Sequence, residues 1–285
     1  MRRTSLALAA ALLASPAAGD VAYVTNQSGD SLSVLDLDAG TEARRIPVPG
    51  APAGVAAAPD GTVYTVSADS KTVRRIDPES AEVLAEVTLD GGPIGIALCG
   101  DRAFVSDWYN ARIWVLDART LSVTTTLATG SAPAGLDCSA DRLASADRDA
   151  DRVSLFDLAT LSPVGGVPVG ARPFGLAFAP DGRLFVANVG SNDVTVIDEG
   201  VVTATVPVGE RPYGIAFSGG RAWVSNQYAD TVSVVDLATL QPVATVVVGE
   251  YPEGIWAASP SARGPSAWPS RPTGGFSWPT SARTT

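Results

Sequence analysis

Short apolar runs and polar turns alternate along most of this chain, and no stretch carries the three-to-four-residue period of an amphipathic helix. Residues 172–209 show the pattern clearly. Gly175-Leu176-Ala177-Phe178 is a short apolar run, and Pro180-Asp181-Gly182 is a tight turn, because Asp and Gly favour the backbone angles such a turn needs. Residues 184–188 form a second apolar run and 189–192 turn again. Val194-Thr195-Val196-Ile197 alternates, Asp198-Glu199-Gly200 turns, and residues 201–208 supply a fourth strand. Four short strands with turn signals about every eight to twelve residues predict one antiparallel four-stranded sheet.

The same pattern recurs. The glycines of a Pro-x-Gly element stand at Gly54, Gly95, Gly135, Gly175, Gly214 and Gly254, 39 to 41 residues apart. The aspartates that close the third apolar run stand at Asp36, Asp77, Asp117, Asp157, Asp198 and Asp236, at spacings of 38 to 41. A fixed period of this length marks a stacked or radial array of one supersecondary unit. Four-stranded sheets repeated radially make a β-propeller, so the predicted class is all-β with blades of about 40 residues. We name the strands A to D from the channel outwards. Strand A is the one that starts at the glycine, where bulk does not fit near the axis. The repeated Asp ends strand C and is read as hydrogen-bonding its own turn.

Several motifs recur in register. They include Tyr23-Val24-Thr25-Asn26, Phe185-Val186-Ala187-Asn188 and Trp223-Val224-Ser225-Asn226 on strand B. Ser33-Val34-Leu35-Asp36, Thr195-Val196-Ile197-Asp198 and Ser233-Val234-Val235-Asp236 mark strand C. Pro173-Phe174-Gly175-Leu176-Ala177 and Pro212-Tyr213-Gly214-Ile215-Ala216 mark strand A. On these residues the chain resembles the YVTN-repeat β-propeller family over about residues 21–258. The resemblance implies a seven-bladed propeller, often periplasmic and usually without a proven reaction, with some members accompanying quinoprotein or haem oxidation systems. Two repeats depart from it. Tyr64-Thr65-Val66-Ser67 and the repeat ending at Asp147 lack the terminal Asn; Asp147 can serve as the turn residue, and Ser67 does so more weakly.

The chain shows six B–C–D sets and six A strands, the last at residues 254–258. Residues 20–258 are therefore read as one propeller domain of six recognisable blades, from a seven-bladed parent that has lost its last. Residues 259–285 are rich in Pro, Ser and Arg and read either as a disordered tail or as a frameshifted repeat. Back-translated and read one nucleotide out of frame from the last base of the Arg271 codon, the tail gives a nine-residue pattern. Pro180-Asp181-Gly182-Arg183-Leu184-Phe185-Val186-Ala187-Asn188 fits that pattern throughout. The coding DNA tests this directly.

Composition narrows function. Arg2 and Arg3, an apolar run over residues 6–14 and a small-residue region around Ala18 and Gly19 read as a secretory signal peptide over residues 1–19, so a periplasmic or secreted location is expected. No other segment is apolar enough to predict a membrane span. The net charge of −10 disfavours nucleic acid. With no histidine, His-based general-base catalysis, His–metal sites and axial His haem ligation fall away together. Neither a cofactor nor a metal is expected. Asp36/Asp38 and Asp147/Asp149/Asp151 lack the Gly and distal Glu of a dedicated calcium loop. Asp107 beside Arg112 and Asp147 beside Arg148 read as solvated charge pairs.

Cys99 and Cys138 lie on strand A of adjacent blades, four and three residues after their glycines. Side chains alternate along a strand, so the two point to opposite faces, and adjacent blades meet through opposite faces. In an oxidising compartment that favours a disulfide over two buried thiols.

D–A and B–C turns emerge on the same face of a propeller. There they gather Trp108, Tyr109, Arg172, Phe174, Arg211, Tyr213, Tyr228 and Tyr251, aromatics beside arginines of the kind that mark recognition surfaces. The alternative is that they cap turns and pack neighbouring loops. The expected function is an exported, monomeric binding or scaffold protein that engages a protein or small ligand through this face. The alternative is a propeller enzyme such as a lactonase-like hydrolase, or an accessory subunit of a quinone- or haem-dependent dehydrogenase.

Overall fold

The computed structural model describes residues 21–37, 39–250 and 252. It is a six-bladed β-propeller of antiparallel sheets. Blades 2 to 6 are four-stranded, with inner strands Pro52–Ala57, Pro93–Cys99, Pro133–Cys138, Pro173–Phe178 and Pro212–Ser218. Among the described residues blade 1 has three strands, Val21–Asn26, Ser31–Asp36 and Thr41–Pro47. The inner strand assigned to residues 254–258, the tail from 259, the signal peptide and Tyr251 all lie outside the described residues. No helix among the described residues is long and apolar enough to cross a membrane.

Burial explains the period. The two middle strands of each blade are sandwiched between neighbours, and Val63–Ser67 and Leu184–Asn188 are buried throughout. The outer strands face water, and Pro242–Val247 is exposed along its length. Five apolar clusters join successive blades. Leu32, Val34 and Ile46 of blade 1 meet Val63 and Ile76 of blade 2. Phe185 and Val196 of blade 5 meet Ala222, Val224 and Val235 of blade 6. Among the described residues no such cluster joins blade 6 to blade 1.

The Pro-x-Gly element sets the distance between blades. In each of the five four-stranded blades the pairing of strands A and B slips next to its proline, as at Pro93/Ile96 and Pro173/Leu176. Proline offers no N–H to the ladder, so the slip costs little there. It frees the carbonyl of residue x to lean on the preceding blade. A β-carbon built on Gly54 would collide with the carbonyl of Ile94 in blade 3. Gly95 meets that of Ala134, Gly135 that of Phe174, and Gly175 that of Tyr213. Glycine is therefore required by backbone contact between blades, and not only by crowding at the axis.

Strand B hydroxyls fasten two of these joints. Thr25 Oγ1 donates to the Ala53 carbonyl at 3.0 Å. Ser106 Oγ accepts from Gly95 N at 2.9 Å and donates to the Ala134 carbonyl at 2.7 Å. Within blade 6, Ser225 Oγ accepts from Gly214 N at 2.9 Å in the same way. The cysteines staple blade 3 to blade 4: Cys99 and Cys138 form a disulfide, as their strand offsets predict.

Candidate functional site on the loop rim

The D–A and B–C turns do share one face. In blade 3 Trp108 N donates to the Gly92 carbonyl, and in blades 4, 5 and 6 Arg148 N, Val189 N and Gln227 N donate to the carbonyls of Ala132, Arg172 and Arg211. The residue before the Pro-x-Gly proline is left-handed in four blades: φ is 57° at Ala51, 52° at Ala132, 53° at Arg172 and 57° at Arg211. A carboxylate or amide one blade back holds this turn. Asp30 Oδ1 accepts from Ala51 N, Asp151 Oδ1 from Arg172 N and Asn192 Oδ1 from Arg211 N.

On this common backbone the side chains differ by blade. The residue between Pro and Gly is Ala53 in blade 2, Ile94 in blade 3 and Ala134 in blade 4, but Phe174 in blade 5 and Tyr213 in blade 6. The Phe174 and Tyr213 rings are in contact, with centroids 4.3 Å apart and planes tilted by 37°. Trp108 of blade 3 reaches Phe174 at 6.1 Å, past the small Ala134 of the blade between them. Arg148 lies 5.5 Å over Trp108, and Arg211 lies 5.7 Å over Tyr213 and 4.6 Å over Tyr228. Arg211 Nη1 also donates to Tyr228 Oη at 2.8 Å. The result is one continuous arc of rings and guanidinium groups running from blade 3 to blade 6.

Six of the eight residues picked out by sequence can be placed on or beside this arc, and one more stands apart from it. Trp108, Phe174, Arg211, Tyr213 and Tyr228 are joined by the contacts above. Arg172 is exposed on the turn that carries Phe174, and among the described residues its side chain makes no hydrogen bond or ion pair. Tyr109, at 78% exposure, lies against Gly92 in its own blade and outside the arc. Tyr251 lies outside the described residues. Arg148 completes the arc at its blade 3 end.

The two charge pairs read as solvated prove to be structural. Asp107 and Asp147 occupy the turn position that Asn26, Asn188 and Asn226 fill in other blades, and both are fully buried. Asp107 accepts from Gly92 N at 2.9 Å, Asn110 Nδ2 at 2.8 Å and Arg112 Nε at 2.8 Å. Burial pushes its pKa up, but these donors outweigh burial and hold the carboxyl below its ordinary value. Asp147 is not the partner of Arg148, which pairs instead with Asp149 at 2.6 Å. It accepts from Gly130 N at 2.8 Å, Ser145 Oγ at 2.9 Å and Ser154 Oγ at 2.5 Å, while Arg152 stands off at 3.7 Å. Here burial wins over those donors and the pKa is raised. A guanidinium in hydrogen-bond range of one carboxylate, and out of range of the other, separates two equivalent positions.

Blade 2 solves the same turn differently. Ser67 has no amide to offer, and Arg74 from strand C reaches in, its Nη1 bonding Ser67 Oγ at 3.1 Å and the Pro49 carbonyl at 3.0 Å.

One further polar residue was not apparent until the repeats were placed in register. Asp137 stands where Ala56, Ala97, Ala177 and Ala216 stand in other blades. Its carboxylate accepts from Cys138 N and, across the blade boundary, from Phe178 N, both at 2.8 Å. Burial raises its pKa against these two bonds. At the end of the propeller opposite the rim, a cleft of about 890 Å³ opens between blades 4 and 5, lined in part by Phe178, Leu184, Asp181 and Glu199.

These features define a YVTN-type β-propeller with a one-sided aromatic rim. The chain belongs to the YNCE-like beta-propeller family, which matches residues 3–198. No curated protein matches it. Among solved structures it is similar to Kuenenia stuttgartiensis hydrazine synthase, with TM-score 0.73 and 20% identity over 84% of this chain and 86% of that one. A streptogramin B lyase structure gives TM-score 0.73 and 17% identity over 83% of each chain. The dihydro-heme d1 dehydrogenase NirN in complex with DHE gives 0.64 and 22%, over 81% of this chain and 55% of that one. At these identities the likeness concerns the fold alone.

Proposed function

We propose that this protein is an exported binding module, monomeric in the periplasm or outside the cell, whose rim arc from blade 3 to blade 6 holds its ligand or partner. The observation that carries this reading is the arc itself. Five of the seven described rim positions chosen for their chemistry fall into one chain of ring and guanidinium contacts, on turns whose backbone is shared with blades that lack such residues. Rigid aromatic anchors beside arginine are the residue types that dominate binding energy at protein surfaces. A turn backbone that other blades form with alanine does not need Arg, Phe and Tyr for folding.

Site-specific photo-crosslinking tests the reading. A benzophenone side chain placed at Tyr228, 52% exposed on the arc, should yield a discrete adduct when the protein is expressed in its own periplasm. The same group at Val243, 51% exposed on the outer strand of blade 6, should not. Equal adducts from both positions would refute a rim-specific binding function.

A further inference from the structure

The rim carries two guanidinium groups with no carboxylate partner among the described residues, those of Arg172 and Arg211. Arg148, at the other end of the arc, is neutralised by Asp149 at 2.6 Å. Glu210, next in sequence to Arg211, makes no ion pair with it. Both of these arginines occur in the same local sequence. Arg172-Pro173-Phe174-Gly175 and Arg211-Pro212-Tyr213-Gly214 are adjacent repeats, whereas blades 2, 3 and 4 read Ala-Pro-Ala-Gly, Gly-Pro-Ile-Gly and Ala-Pro-Ala-Gly at these positions. Two neighbouring blades thus each present an arginine two residues from an aromatic, and the two aromatics touch with their planes tilted by 37°.

Arg211 is also held in place. The Tyr213 and Tyr228 rings lie against its guanidinium, Nη1 bonds Tyr228 Oη, and Nε is buried without a hydrogen-bond partner. Ring contacts engage the faces of a guanidinium and leave its edge donors for a bidentate anion. The chain as a whole carries −10, so general attraction cannot draw an anion here. Local donors must do it.

We infer that the arc is a subsite for a planar aromatic carboxylate. The ligand's ring lies on the ledge made by Trp108, Phe174 and Tyr213, and its carboxylate accepts from the Nη donors of Arg211, with Arg172 reaching it from the adjacent turn. Aromatic faces stack on flat rings better than on puckered ones. A fixed fork favours a carboxylate over a neutral oxygen. This inference rests on the rim being the binding surface and adds the chemical class of what it binds.

The test is calorimetric titration of the full chain at physiological salt with three probes: 2-naphthoate, neutral 2-naphthalenemethanol and non-planar cyclohexanecarboxylate. Naphthoate should bind at least about tenfold more tightly than either of the others, the difference that one charge-assisted hydrogen bond makes. Arg211→Gln should weaken naphthoate about tenfold and leave the neutral probe unchanged; Arg172→Gln should do the same to a smaller degree. Should Arg211→Gln fail to fold, Arg172→Gln and Tyr228→Phe carry the test. Naphthoate that fails to bind, binds no better than the alcohol, or is indifferent to both arginines overturns the inference. If that happens while the crosslinker at Tyr228 still captures its adduct, only the ligand class is lost. If both fail, the rim reading falls with it.

Discussion

The rim of blade 2 and the rims of blades 5 and 6 share a backbone and differ in what they display. All three place a left-handed residue, a proline, residue x and a glycine in the same order, and the turn N–H is held by a side chain from the preceding blade. In blade 2 the displayed residues are Ala51 and Ala53. In blades 5 and 6 they are Arg172 with Phe174 and Arg211 with Tyr213. The repeat therefore divides its positions. Proline, glycine and the turn acceptor build the joint between blades, and the two positions around the proline are free to carry function. Repeat proteins with nearest-neighbour stability can vary such positions without loss of fold.

The most severe way to break this comparison is at the joint. Gly54→Ala and Gly175→Ala each put a β-carbon into a neighbouring carbonyl that cannot move aside. Each should cost about 4 kcal/mol in chemical denaturation. Gly165→Ala, on an outer strand with nothing within 4 Å, should be neutral or slightly stabilising. A tolerated change at Gly54 but not at Gly175 would show that the two rims do not share a joint. Next in size, replacing Cys99 and Cys138 together by Ser should cost about 3 kcal/mol by releasing the 39-residue separation they close. Binding at the rim should survive it.

Smaller effects separate Asp107 from Asp147. The pKa of Asp107 is lowered in the fold, so its contribution is present above the ordinary carboxylate value and is lost as pH falls through the folded pKa. The pKa of Asp147 is raised. Its proton is bound more tightly in the folded state, so its contribution is present at low pH and is lost as pH rises through the folded value. At neutral pH, Asp107→Asn should therefore destabilise by about 1 kcal/mol. Asp147→Asn should stabilise by a similar amount, because Asn is the residue blades 1, 5 and 6 use there and its amide can donate to Ser154 as Asn26 Nδ2 does to Ser33 Oγ at 2.8 Å. Melting curves of both variants at neutral and acidic pH check the signs. Smallest of all, Arg211→Ala should cost no more than about 1 kcal/mol of stability, since its ring contacts are partly exposed.

What was legible in the sequence follows the same division. Period, strand order, the cysteine pairing and the shared face of the turns could all be read, because each is fixed by local spacing and the alternation of a strand. The glycines were legible as small, but the Tyr213 or Ala134 carbonyl that demands them comes from another blade and leaves no mark beside them. Asp147 was legible as the turn residue, but it and Asp107 were misread as solvated because nearby arginines suggested solvent, whereas both are buried at the place of the repeat's Asn. Asp137 was legible only by comparing repeats, where one carboxylate stands among alanines. The reach of Trp108 past Ala134 to Phe174 depended on the width of the intervening blade, which no single repeat encodes.

The central claim is that folding belongs to the shared positions and binding to the variable ones. It is tested most directly by giving blades 5 and 6 the rim of blade 2, with Arg172→Ala, Phe174→Ala, Arg211→Ala and Tyr213→Ala in one protein. A photo-crosslinker at Tyr228, 52% exposed on the arc, then reports capture. The account predicts a protein that still folds and melts cooperatively but loses the adduct formed on the unsubstituted rim. An undiminished adduct from that folded protein would contradict it.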